Sequence, residues 1–84
     1  MNVKIEVNVV YGRMVLYKFV KEMGLIDIIP DSFTYNGIWF TVDEVHYDFD
    51  TDQTILYCTD IVCDTMEYVE NKVEVLRDSG FKSI

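Results

Sequence analysis

The segment Phe33-Thr34-Tyr35-Asn36-Gly37-Ile38-Trp39-Phe40 leaves the chain little choice of local structure. Asn-Gly between two apolar runs is the preferred two-residue type I′ hairpin turn, because both central residues take positive φ and Asn and Gly tolerate it best. A hairpin commits the chain to an antiparallel sheet, and the flanking pattern extends it. Ile38, Phe40 and Val42 share one parity, whereas Val45, Tyr47 and Phe49 share the other. A period-two pattern changes phase only where a residue is added, which predicts a bulge near Asp43-Glu44. Asp50-Thr51-Asp52-Gln53 has the composition of a turn, and Thr54 to Cys58 reads as the returning strand.

At the N-terminus Val3, Ile5, Val7 and Val9 alternate with polar residues, the mark of a half-buried strand. Leu16, Phe19, Val20 and Met23 then follow helical spacing ahead of Gly24, so residues 13–23 are expected to form a helix. A second strand turning through Gly12, with Val15, Tyr17 and Phe19 on one face, is the alternative. Leu25 to Ser32 reads as a connection, since Pro30 excludes a central strand there. Asp64 with Glu67 resembles a capping box, Met66, Val69, Val73 and Leu76 make an apolar stripe, and Gly80 ends the helix with Phe81 folding back. The expected fold is α+β, in the order β-α-β-β-β-α: a mostly antiparallel four-stranded sheet with two helices packed on one face.

Residues 1–84 read as a single domain. A chain this short buries only about 60% of the surface its unfolded state exposes, so self-association would be a natural supplement. The longest apolar runs, Met14 to Tyr17 among them, are far short of the roughly 20 residues that span a bilayer, and no membrane partner is expected. The alternating N-terminus does not read as a secretory signal, and Cys58 and Cys63 do not make a disulfide framework. A cytoplasmic location is expected.

The charge is lopsided. Fifteen acids oppose seven bases for a net −8. Residues 22–71 contain no Lys or Arg, yet carry Glu22, Asp27, Asp31, Asp43, Glu44, Asp48, Asp50, Asp52, Asp60, Asp64, Glu67 and Glu70. Uncompensated carboxylates repel one another in the folded state, and a surface that serves solubility alone ordinarily mixes both signs. The excess excludes direct nucleic-acid binding, which needs a basic footprint. It points to a partner protein with a basic surface, including one that itself binds nucleic acid.

Tyr35, Trp39, Tyr47, Phe49, Tyr57 and Tyr68 are interleaved with these acids. Aromatics with a polar tip dominate interface hot spots, although several must fill the core of so small a domain. The expected partner-binding residues are Asp43, Glu44, Asp48, Asp50 and Asp52 at the bulge and turn, with Glu67 and Glu70 on the last helix. Tyr47 and Tyr68 are candidate anchors. Reversing Asp48, Asp50 and Asp52 to Lys is expected to abolish binding and leave the domain folded. Small size, acidity and lack of catalytic signals are shared by many virus-encoded inhibitors of nucleases and host defence factors. A homo-oligomer joined through an exposed sheet edge is the alternative.

Catalytic and metal motifs are weak. Asp48-x-Asp50-x-Asp52 opens like a calcium loop, but Gln53 stands where the sharp turn needs Gly and Thr59 where a bidentate Glu belongs. A cation-binding turn is a further alternative. His46, Cys58 and Cys63 are the only candidates for a zinc site or a Cys–His nucleophile, and they lack a fourth ligand. No Gly-rich phosphate loop or G-x-S-x-G elbow is present. No cofactor and no enzymatic activity are expected.

Overall fold

The computed structural model describes residues 2–84. The chain runs β1 (Asn2–Tyr11), β2 (Met14–Leu25), β3 (Ser32–Tyr35), β4 (Ile38–Asp48), β5 (Gln53–Cys58), β6 (Ile61–Cys63), α1 (Met66–Asp78) and β7 (Lys82–Ser83). The strands form one seven-stranded sheet in the order β3-β4-β5-β1-β2-β7, with β6 continuing past β5 along β1. All neighbours are antiparallel except β5 and β6, which run parallel to β1. The expected four-stranded sheet with two helices is therefore corrected to seven strands and one helix among the described residues.

The helix expected over residues 13–23 is strand β2. Gly12, at φ 62°, turns the chain so that Tyr11 pairs with Met14, and β1 becomes an immediate neighbour. The β-branched and aromatic residues Val15, Tyr17, Phe19 and Val20 suit a pleated surface. The helical spacing arises from irregularities in the pairing. Val9 pairs with Tyr17 but Val10 with Val15, and Val3 pairs with Gly24 but Lys4 with Glu22. Leu16 and Met23 are the residues left over, as in a β-bulge. Both pack against the core alongside Phe19, which is fully buried. Three core contacts spaced as on a helix thus come from a strand interrupted twice.

Other local signals correspond to observed structure. Asn36 (φ 50°) and Gly37 (φ 80°) make the β3–β4 turn, and the register of β4 against β5 shifts between Val42 and Glu44. The helix N-cap is Thr65 and not Asp64: the Thr65 hydroxyl accepts from the Tyr68 amide at 3.1 Å. Val69, Val73 and Leu76 are buried, while Met66 is half exposed. At the other end Gly80 (φ 91°) lets the Phe81 amide reach back to Leu76 O and its own amide to Arg77 O, a Schellman motif.

One face of β1 supplies the centre of the core, with Val3, Ile5, Val7 and Val9 all nearly inaccessible. The helix packs over β1 and β6, toward the β1–β2 turn. The sheet curls so that β3 approaches the helix C-terminus. Phe33, Phe40 and Phe81 stack in series, Tyr35 meets the edge of Phe81, and Asn36 Nδ2 donates to Ser79 Oγ at 2.7 Å. Thr54 Oγ1 is buried without a hydrogen-bond partner. Among the described residues no helix is long and apolar enough to cross a membrane.

Candidate functional site

The acids of residues 43–52 lie on β4 and on the turn to β5, and the local chain geometry explains their placement. Past the bulge, Val45 pairs with Leu56 and Tyr47 with Thr54, so both project on the helix-bearing face. Glu44, His46 and Asp48 project on the other face, opposite Tyr57, Ile55 and Gln53. Asp43, at the bulge, accepts from Thr59 Oγ1 at 2.6 Å. Asp48 Oδ1 accepts from the Asp50 amide at 2.9 Å, closing an Asx turn. Asp52 occupies the left-handed region (φ 52°) and accepts a hydrogen bond from the Tyr47 hydroxyl. Asp50 is exposed. From Asp43 to Asp48 the strand extends about 17 Å at ~3.3 Å per residue. That length, continued by the turn, forms an acidic rim without a Lys or Arg of its own.

Apolar surface accompanies the charge. The helix does not reach this end of the sheet, so Val45 remains 49% and Tyr47 36% exposed. Phe49 is 88% exposed and sets its ring edge-on to Tyr47 at 4.7 Å between centroids. The hydrogen bond to Asp52 is the main reason the Tyr47 phenol is held above its ordinary pKa.

The face opposite the helix adds residues that sequence reasoning missed. Register places Glu6, Tyr57 and Glu44 in one row across β1, β5 and β4. Partial burial raises the Tyr57 pKa first, and the Glu6 and Glu44 carboxylates raise it further. The adjacent row holds Glu22, Lys4, Ile55 and His46, and Gln53 Nε2 donates to both Glu22 oxygens at 2.9 and 3.2 Å. Asp60, in the gap between β5 and β6, accepts from Asn8 Nδ2 at 3.2 Å. Alternation in β1 puts Glu6 on a solvent face. Its neighbours become visible only once β5 is known to lie parallel to β1.

The expected partner-binding residues fall into two separate groups. Asp43, Glu44, Tyr47, Asp48, Asp50 and Asp52 share the β4 rim and its turn. Glu67, Tyr68 and Glu70 lie at the start of α1. The turn precedes Gln53, which pairs with Asn2, and α1 follows Cys63, which pairs with Tyr11. The length of β1 therefore separates the turn acids from the start of α1 by about 30 Å at ~3.3 Å per residue, whereas Asp43, bonded to Thr59, lies nearer, since Thr59 and Tyr68 line one concavity. The helix is also less one-sided in charge, because Lys72 sits over the Tyr68 ring and Arg77 over Tyr17.

The remaining candidate chemistries do not assemble. His46 pairs with Ile55 on the open face, whereas Cys58 pairs with Val42 and is buried on the helix face. Burial, with a smaller contribution from Asp43, pushes the Cys58 thiol up to about 11, and burial also raises Cys63. A protonated, inaccessible thiol is a poor nucleophile or metal ligand. Among the described residues no three His, Cys, Asp or Glu side chains converge to hold a metal ion. At the turn, Asp48 faces a backbone amide and Asp52 a phenol, so the calcium-like spacing does not become a coordination shell.

No protein family, no curated protein and no solved structure gives a significant match to this chain.

Proposed function

We propose that this protein is a non-catalytic binding module whose β4 rim docks on a basic surface of another protein, of the kind that holds nucleic acid, and occludes it. The observation that carries this reading is the gathering of Asp43, Glu44, Asp48, Asp50 and Asp52 on one strand and turn beside exposed Val45, Tyr47 and Phe49. Carboxylates spaced along about 17 Å of a strand offer a line of negative charge to a basic cleft, and the apolar side chains supply contact area where water is excluded. Attraction of this kind speeds encounter and weakens with salt. The burial of both thiols and their separation from His46 support a role without covalent catalysis. We place the protein in the cytoplasm, a location supported by two thiols that remain unbridged.

The test is affinity capture at low and high salt with nuclease treatment. A protein captured at low salt, released at high salt and indifferent to nuclease supports the proposal. Capture that needs intact nucleic acid contradicts it.

A second reading has its own observation. At the β1–β2 turn, at the end of the sheet away from the acidic turn, Val15 is 54% and Val62 63% exposed, and they flank Val10 on the face away from the helix. Exposed apolar residues grouped in this way suit self-association. Mass in solution separates the readings, since a dimer indifferent to salt favours this one.

A further inference from the structure

The β4 strand presents its partner with more than charge. On one side, residues 44–48 pair with β5; on the other, β3 pairs only with residues 38–41. Among the described residues no strand covers the outer edge of 43–48. Half of the backbone amides and carbonyls along this stretch therefore point outward, over about 17 Å at ~3.3 Å per residue.

Sheet edges are ordinarily defended against pairing by Lys, Pro, bulges or a covering element. The β2 edge is partly covered by β7 and carries Lys18 and Lys21. After the bulge at Asp43, the β4 edge has no Lys and no Pro, and what it carries is sorted by face. Val45 and Tyr47 lie on one face, and Glu44, His46 and Asp48 on the other.

We propose that the outer edge of β4 receives an extended basic strand of the partner by main-chain pairing, as an added strand of the sheet. This rests on the reading above that the acidic rim docks on a basic protein. The incoming segment has about six residues, alternating apolar and basic. Its apolar residues continue the face of Val45 and Tyr47, and its Lys or Arg residues meet Glu44 and Asp48. Opposite charges across a strand pair stabilise it and like charges do the reverse. A second copy of this chain is therefore the wrong occupant, because antiparallel pairing of two β4 edges gathers Glu44 and Asp48 carboxylates from both copies on one face.

The probe is a capped synthetic peptide of alternating lysine and valine. It is compared with the same peptide N-methylated at alternate residues and with one of the same composition in two blocks. Binding and backbone amide exchange are followed by NMR on the intact protein. The alternating peptide is expected to bind and to slow exchange at alternate amides within 43–48. N-methylation is expected to weaken binding about tenfold or more, since each main-chain hydrogen bond contributes ~0.5–1.5 kcal/mol and 1.4 kcal/mol is tenfold. The Val45→Lys variant is expected to lose binding of the alternating peptide.

Equal, salt-sensitive binding of all three peptides overturns the edge pairing and leaves the acidic docking standing. Binding of none of them at low salt overturns both. Protection appearing on β2 instead of β4 overturns the assignment of the edge.

Discussion

Replacing Asp48, Asp50 and Asp52 together by Lys is expected to weaken the fold as well as the binding, whereas replacing them by Asn is expected to spare the fold. Two of the three hold the turn. Asp48 accepts the Asp50 amide, and its loss costs about 0.5–1.5 kcal/mol. Asp52 accepts the Tyr47 hydroxyl and tolerates φ 52°. Lys at that backbone angle adds roughly 1 kcal/mol of strain. The Lys variant therefore loses about 1.5–2.5 kcal/mol, offset by a few tenths from relief of carboxylate repulsion. A chain of this length has only about 4–13 kcal/mol in total, so the loss is large. Asn keeps an accepting oxygen and tolerates the left-handed region, and its variant is expected within about 1 kcal/mol of wild type. Urea unfolding followed by circular dichroism measures both. Equal stability of the Lys and Asn variants refutes the argument, because the turn hydrogen bonds would then contribute nothing.

Other expectations are simpler. Phe81→Ala removes the ring stacked on Phe40 and is expected to cost about 3–5 kcal/mol in the same assay. Thr54→Val replaces a buried hydroxyl that has no partner and is expected to raise stability by about 1 kcal/mol, read as a higher Tm. The Cys58 thiol titrates at about 11 in the fold against an ordinary 9.0, so its contribution is present below pH 9 and is lost as pH rises toward 11. Denaturation titrations across that range are expected to show falling stability, with a shallower fall in Cys58→Ala. Trp39 is 71% exposed, so its fluorescence is expected to be water-like and readily quenched by iodide.

The sequence disclosed some elements because their causes are local. The Asn36-Gly37 turn needs only two residues that accept positive φ, and Gly80 with Phe81 needs only a helix end. The phase change between Val42 and Val45 exposed the bulge, since a period of two admits no other explanation. Strand β2, the alternative to a helix over residues 13–23, is obscured in the sequence because its cause is tertiary. Leu16 and Met23 reach the core only through irregular pairing with β1, and in sequence they mimic a helical stripe. The candidate site divides in the same way. Glu44 and Asp48 stand out as acids in a strand, but Glu6 and Tyr57 join them only through the parallel pairing of β1 with β5. The grouping of Glu67, Tyr68 and Glu70 with the turn came from nearness in charge pattern, and the length of β1 separates them in space.

The most direct test of the central claim is affinity capture of the binding partner with two charge-matched variants. One carries Asp48→Asn, Asp50→Asn and Asp52→Asn on the rim, and the other Glu67→Gln, Glu70→Gln and Glu74→Gln on the helix. Each removes the same charge. The account predicts that wild type and the helix variant capture a partner at low salt and release it at high salt, while the rim variant captures none. Retention by the rim variant with loss by the helix variant would contradict it.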